Sequence, residues 1–339
     1  MGADDARRRR RLAAGLALGA ALFAVAGLAA GSDGWSLTAL LRTWRTTEGG
    51  LIVFQIRAPR TVGAWLTGAL LGLAGATAQG LFRNPLADPY LLGSAAGAVL
   101  GVVLVLAGGA LGGHVIDVAT ADLLARVGLA GAAFVGALLG VLLALSIARG
   151  ARETTRLLLA GVVVDVVLIA LGDLVTTAAP DALRGKQAFL LGSTGFLGWQ
   201  SCALLAVGLV LTLPIAWRLS RALDALSLGT DSALSLGVAL SRVRMALIAA
   251  LALATGLAVS QAGLVAFVGL VSPHLVRRFA PAAHGFTLVA SAAAGGLLLL
   301  AADVFARTLI APEEIPVGVL TALLGGGYLI WLLRRRGAT

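Results

Sequence analysis

The sequence predicts an all-α integral membrane protein of about ten transmembrane helices, organised as a single polytopic domain over residues 1–339. Three observations predict it. Of the 339 residues, 59% are hydrophobic and 12% charged, against about a quarter charged in soluble domains. Apolar runs near the roughly 20 residues that cross a bilayer recur along the whole chain. These runs are continuous rather than alternating, which excludes a β-barrel.

Taken in order, the expected helices cover residues 12–30, 60–81, 91–109, 123–147, 154–177, 199–218, 242–260, 262–279, 286–309 and 315–333. Shorter helices are expected near 180–190 and 223–238. The basic run Arg7 to Arg11 ahead of the first apolar stretch reads as a cytoplasmic tail, 1–11, entering an uncleaved first helix. Residues 57–98 carry the theme most compactly. Two arginines flank a proline, an uncharged run rich in small residues follows, and the polar insert RNPLADP turns the chain into the next run. Pro85 and Pro89 cannot continue a helix, and Asn84 and Asp88 favour the turn. Small residues, as in GALLGLAGA (68–76) and SAAAGGLLLL (291–300), let helix backbones approach closely in lipid.

Charge sets the orientation. With Arg7 to Arg11 inside and ten crossings, 18 of the 26 basic residues fall on the cytoplasmic side, including Arg83, Arg149, Arg152, Arg277 and Arg278. Both termini are then cytoplasmic. The 8 exceptions are Arg42, Arg45, Arg57, Arg60, Arg126, Arg184, Lys186 and Arg307. Arg57, Arg60 and Arg307 lie at outer helix ends, where they either snorkel to headgroups or form a cationic patch for acidic groups of a partner. The net charge of +10 is explained by this bias, and no basic, aromatic-studded soluble segment offers a nucleic-acid surface.

Few residues carry candidate chemistry. Asp165 and Asp173 fall inside the fifth helix, and a carboxylate at membrane depth usually faces a cavity or a partner. Asp303 and Arg307 are spaced to pair along a helix, with Glu313 and Glu314 on the loop beyond. The amphipathic segment 223–238 is broken by Gly229, with Thr230 or Asp231 available as a cap. It is either an interfacial helix or a dock for a soluble partner. His274 reads as a hydrogen-bonding residue at a helix end, His114 and His284 as loop residues, and the single cysteine, Cys202, as packing. No metal cluster is expected, and phosphate-loop, HExxH and GxSxG motifs are absent.

The ordered motifs IRAPRT (56–61), QGLFRNPLADPYLLGSAAGA (79–98), RLLLAGV (156–162), LSLGTDSALSLGV (226–238), GLVAFVGLVSPHLVRR (263–278), LLLAADVFAR (298–307) and EIPVGVLTALLGG (314–326) together resemble the FecCD-type permeases. These are membrane subunits of ATP-binding-cassette importers for iron–siderophore, haem and cobalamin, and the layout is most similar to the cobalamin permease. The resemblance implies a type II importer permease with ten helices and a homodimer with the pore on its two-fold axis. It implies two cytoplasmic ATP-binding subunits that carry ATP and magnesium, and an external binding protein whose acidic groups dock on Arg57, Arg60 and Arg307. It further implies that Leu226, Leu228, Gly229, Asp231, Leu234, Leu236 and Gly237 couple to the ATPase, and that Asp165, Leu168 and Gly172 line the pore. No cofactor is then held by this chain, which does no covalent chemistry. The expected cargo is a ferric siderophore, then haem or cobalamin. The competing reading is an ion-coupled secondary transporter using Asp165.

Overall fold

A computed structural model describes residues 3–31, 34–35, 47–112, 118–148 and 153–336. Arg42, Arg45, Arg149, Arg152 and His114 lie outside the described residues. In chain order the helices are α1 (Ala3–Ala29), α2 (Thr47–Ile52), α3 (Ala58–Phe82), α4 (Ser94–Gly112), α5 (Val118–Ile147), α6 (Thr154–Ala178) and α7 (Ala182–Leu191). There follow α8 (Trp199–Arg218), α9 (Ser220–Ser227), α10 (Thr230–Ser235), α11 (Leu240–Ala262), α12 (Val268–Phe279), α13 (His284–Thr308) and α14 (Val317–Arg336). A two-residue antiparallel pairing, Ala30–Gly31 with Gly34–Trp35, follows α1.

Seven of the described helices are long and apolar enough to cross a membrane, and the apolar parts of α4 and α14 are shorter. The basic run is itself helical: α1 begins at Ala3, so Arg7 to Arg11 lie within its first three turns. A six-residue α2 and a π-turn, Val53–Arg57, were not anticipated and lead directly into α3.

α3 is the hub. Almost every residue from Pro59 to Phe82 is buried. Its small residues explain how. A Cβ added at Gly68 would stand 2.2 Å from the Gly295 carbonyl oxygen of α13, and one at Gly75 only 1.7 Å from that of Gly269 in α12. The backbones of α3, α12 and α13 therefore touch, as glycine-lined helices do in lipid.

The expected eighth helix, 262–279, is shortened at its start. Gly263 ends α11 at φ +68°, a conformation that glycine adopts without strain, and α12 starts only at Val268. Twelve residues of helix rise about 18 Å, well short of a bilayer core. The segment still traverses the bundle. The Leu264 carbonyl packs on Gly192, near Thr194 and the Arg60 end, whereas Arg277 reaches Gln79 at the opposite end of α3. Residues 263–267 are non-helical and supply the missing reach, since each extended residue adds about 3.3 Å. Their backbone is satisfied by protein: Leu264 N–H donates to Phe189 O at 3.0 Å, Ser193 N–H to Ala262 O at 2.8 Å, and Tyr90 Oη to Val265 O at 3.1 Å. Interrupted backbone at membrane depth is tolerated only where such partners exist.

Candidate functional site: two chemically opposite ends of the helix bundle

One end is ionic. Asp303, fully buried on α13, is the centre. Its Oδ1 accepts Arg60 Nε at 3.0 Å and the Thr194 hydroxyl at 2.6 Å, and its Oδ2 accepts Arg307 Nη2. The pairing of Asp303 with Arg307 is the spacing of four read from the sequence. The rest was not: Arg60 also grips Glu314 with both terminal nitrogens, at 2.9 and 2.8 Å. Two guanidinium groups thus balance two carboxylates, the condition for keeping charge away from water. Glu314, on the loop after α13, is held below the usual carboxylate range, first by its hydrogen bond to Arg60.

The three arginines differ in access. Arg307 is only 4% exposed and donates to Gly27 O at 3.1 Å as well as to Asp303, so it is an internal residue. The side chain of Arg60 is 11% exposed, and that of Glu314 48%. Arg57 is half-buried and donates to Leu28 O at 3.1 Å. Expecting all three on an open patch therefore needs correcting: Arg307 supports the patch from behind, and Glu314 is its exposed member.

The other end carries α9 and α10. Leu223, Leu226 and Ala233 are buried and fix the pair to the bundle. Leu228, Leu234 and Leu236 are 69%, 54% and 65% exposed, an apolar projection that the described residues leave uncovered. Of the residues expected to couple to a partner, Leu226 therefore faces inward, and the exposed Asp231 stands in the first turn of α10. The cap of α10 is Gly229, at φ +116°, rather than Thr230 or Asp231. Gly237 takes φ +78° where the chain leaves the pair for α11. Asp224 ties α9 to α13: its Oδ1 meets His284 N–H at 3.0 Å and His284 Nδ1 at 2.7 Å.

Between the ends, α6 has two faces. Leu168 and Gly172 lie on the buried one, with Leu157, Ala160, Gly161 and Val164. Both are buried in the single chain, and Leu168 also lines an apolar cleft with Gly97 and Gly101 of α4 and Gly136 of α5. The exposed face carries Val162, Val163, Val166, Val167 and Leu174. Asp165 is half-buried between the faces, with Oδ1 enclosed and unbonded. Asp88, in the hairpin between α3 and α4, lies within its electrostatic reach. Asp88 accepts Tyr90 N–H at 2.9 Å, and its pKa is pushed up to about 6, first by burial and then by Asp165. Asp173 pairs with Lys186 of α7. His274 stacks edge-on against Tyr328, and Cys202 is buried with Sγ 3.1 Å from Pro59 O. Among the described residues no group of three His, Cys, Asp or Glu side chains could hold a metal ion.

Comparison with known proteins places these ends in context. The model of the FecCD transport family matches residues 15–335. The hemin transport system permease protein HmuU of Yersinia pestis is 38% identical over 329 residues, covering 95% of this chain and 96% of that protein. The vitamin B12 import system permease protein BtuC of Salmonella paratyphi A is 38% identical over 293 residues, 86% of each chain. Among solved structures, a metal-chelate type ABC transporter in an inward-facing conformation superposes with a TM-score of 0.83 at 27% identity, covering 95% of this chain and 98% of that one. PsaBC from Streptococcus pneumoniae, at 16% identity and a TM-score of 0.51, shares the fold.

Proposed function

The chain belongs to the FecCD transport family and is a membrane permease subunit of an ABC importer; on that premise we propose that the leucine projection of α9–α10 is the dock for its ATPase and the ionic end the dock for its substrate-binding protein. The observation that carries the reading is the chemical opposition of the two ends. Leu228, Leu234 and Leu236 are apolar, exposed and held on two short helices, suited to insertion in a groove of a soluble subunit. Arg57 donates to a backbone carbonyl, and Arg60 can exchange the half-exposed Glu314 for a partner's carboxylate, so this end can receive acidic groups.

In this reading two copies of the chain associate, and two cytoplasmic ATP-binding subunits hold the nucleotide and its magnesium. The permease itself holds no cofactor and catalyses no reaction. Both termini are cytoplasmic. The dock end of α9 is hydrogen-bonded to the start of α13 through Asp224 and His284, and α13 carries Asp303 and Arg307 at its other end. A movement of the ATPase dock is thus passed along α13 to the ionic end. Gating between outward-open and inward-open states is then a rocking of helices driven by differential binding of nucleotide on the partner.

The cargo class follows the relatives, whose names specify hemin, vitamin B12 and a metal chelate. A bulky metal chelate is proposed here also, with a ferric siderophore, haem and cobalamin as the three to assay. The test is uptake by proteoliposomes holding this permease with its ATPase and binding protein. Uptake requiring hydrolysable ATP and one of these chelates supports the proposal. Uptake that proceeds without the ATPase defeats it.

A further inference from the structure

The outward fork of Arg60 is already filled. Nη1 and Nη2 reach the two oxygens of Glu314 at 2.9 and 2.8 Å, and Nε is turned inward to Asp303 at 3.0 Å. A guanidinium presents that end-on fork to one carboxylate at a time. The other two arginines of this end are less available. Arg307 is buried, and Arg57 is half-buried with a bond to Leu28 O. A carboxylate arriving from outside finds its best donor in Arg60, and finds it occupied.

Glu314 is placed to be displaced. The backbone on either side of it is pinned, by Glu313 N–H to Ile310 O at 3.2 Å and by Ile315 N–H to Ala306 O at 3.0 Å. The side chain itself is half-exposed, and Arg60 is its hydrogen-bond partner among the described residues. Rotation about side-chain bonds, with no movement of the backbone, therefore carries the carboxylate from Arg60 into water. Beside the fork Gly195 is exposed, and a Cβ added there would stand 3.8 Å from Arg60 Nη1, so this position puts no side chain across the approach.

Asp303 differs in each respect. It is fully buried and binds Thr194 and Arg307 as well as Arg60. The inner carboxylate fixes the guanidinium, whereas the outer one occupies it. An exposed ion pair contributes little to stability, so Asp303 suffices to hold Arg60 in place.

On the reading of this end as the dock of the substrate-binding protein, we propose that Glu314 is a built-in competitor for that dock. It fills the Arg60 fork in the free permease, and an acidic group of the binding protein must displace it. Docking is weakened by the cost of that exchange. The displaced carboxylate then stands near the incoming one, and like charges repel. A binding protein that must leave after each delivery is served by such a limit, because Glu314 is at hand to retake the fork and speed release.

The test measures binding of the substrate-binding protein to the full-length permease, assembled with its ATPase in nanodiscs, by surface plasmon resonance. Glu314→Gln should bind about fivefold more tightly than wild type. The gain should lie mainly in slower dissociation. Glu313→Gln is the matched control. Glu313 is exposed and removes the same charge when replaced, yet makes no ion pair among the described residues, so its affinity should stay within about twofold of wild type. Both side chains are exposed, so both variants should fold, as thermal unfolding checks. Affinity in Glu314→Gln equal to or below that of wild type would overturn the competition and leave the dock standing. Equal tightening in the two variants would overturn it also, assigning the effect to net charge. Wild-type docking unmoved by about 0.5 M salt would instead overturn the ionic dock on which the proposal rests.

Discussion

Arg60 holds Glu314 through two parallel hydrogen bonds of 2.9 and 2.8 Å while its third nitrogen, Nε, holds the buried Asp303. One guanidinium thus links a residue with no exposure to one that is half exposed. The outer and inner halves of this link make separable predictions.

Asp303→Asn removes the buried acceptor charge and leaves Arg60 and Arg307 facing each other. Breaking a buried pair by removing one partner costs about 3–5 kcal/mol. The permease should lose thermal stability by that order, read in detergent by fluorescence-monitored unfolding. Glu314→Gln, at the exposed half, should cost no more than about 1 kcal/mol.

Leu228→Asp, Leu234→Asp and Leu236→Asp combined should leave the permease folded, since all three side chains are exposed. Co-purification of the ATPase should fall below detection. Leu223→Asp, whose side chain is fully buried, should unfold the region instead and lower expression.

Gly75→Val places two methyl groups where the Gly269 backbone already sits. No side-chain rotation relieves a backbone clash. The loss should exceed the 1–3 kcal/mol of ordinary overpacking, and little folded protein should be recovered. Gly172→Ala is the matched control: an added Cβ there meets nothing within 4 Å.

The hairpin should titrate. Asp88 has a pKa near 6 in the folded chain against an ordinary 3.8, so the folded state binds its proton more tightly. Its contribution to stability is complete below the ordinary value and is lost as pH rises through 6. Two units correspond to at most about 3 kcal/mol. Between pH 5 and pH 7.5 the wild type should lose stability relative to Asp88→Asn, in which that dependence is absent. Parallel pH profiles for the two proteins would contradict the burial of this carboxyl group.

Several of these features could be read in the chain. Long apolar runs placed α3, α6, α8 and α13 within a few residues, because a span needs length and little else. The glycines of α3 announced close packing. The excess of arginine at unexpected helix ends marked Arg60 and Arg307, and the spacing of four gave the partner of Arg307. Other features were not legible, for identifiable reasons. The break at 263–267 hides in an uninterrupted apolar stretch, since its backbone is satisfied by residues 189–193, far away in sequence. The contacts of Arg60 with Asp303 and Glu314 span more than 240 positions, and no local pattern encodes them. Which face of the uniformly apolar α6 is buried depends on its neighbours, so the burial of Leu168 and Gly172 within the single chain was not legible.

The most direct test of the importer reading is chelate uptake by proteoliposomes carrying the permease, its ATPase and its binding protein, with ATP supplied on the ATPase side. The account predicts uptake that stops with vanadate, stops in the triple-leucine variant and persists in Asp165→Asn. Uptake that ignores vanadate, follows an imposed proton or sodium gradient and is lost in Asp165→Asn would contradict it.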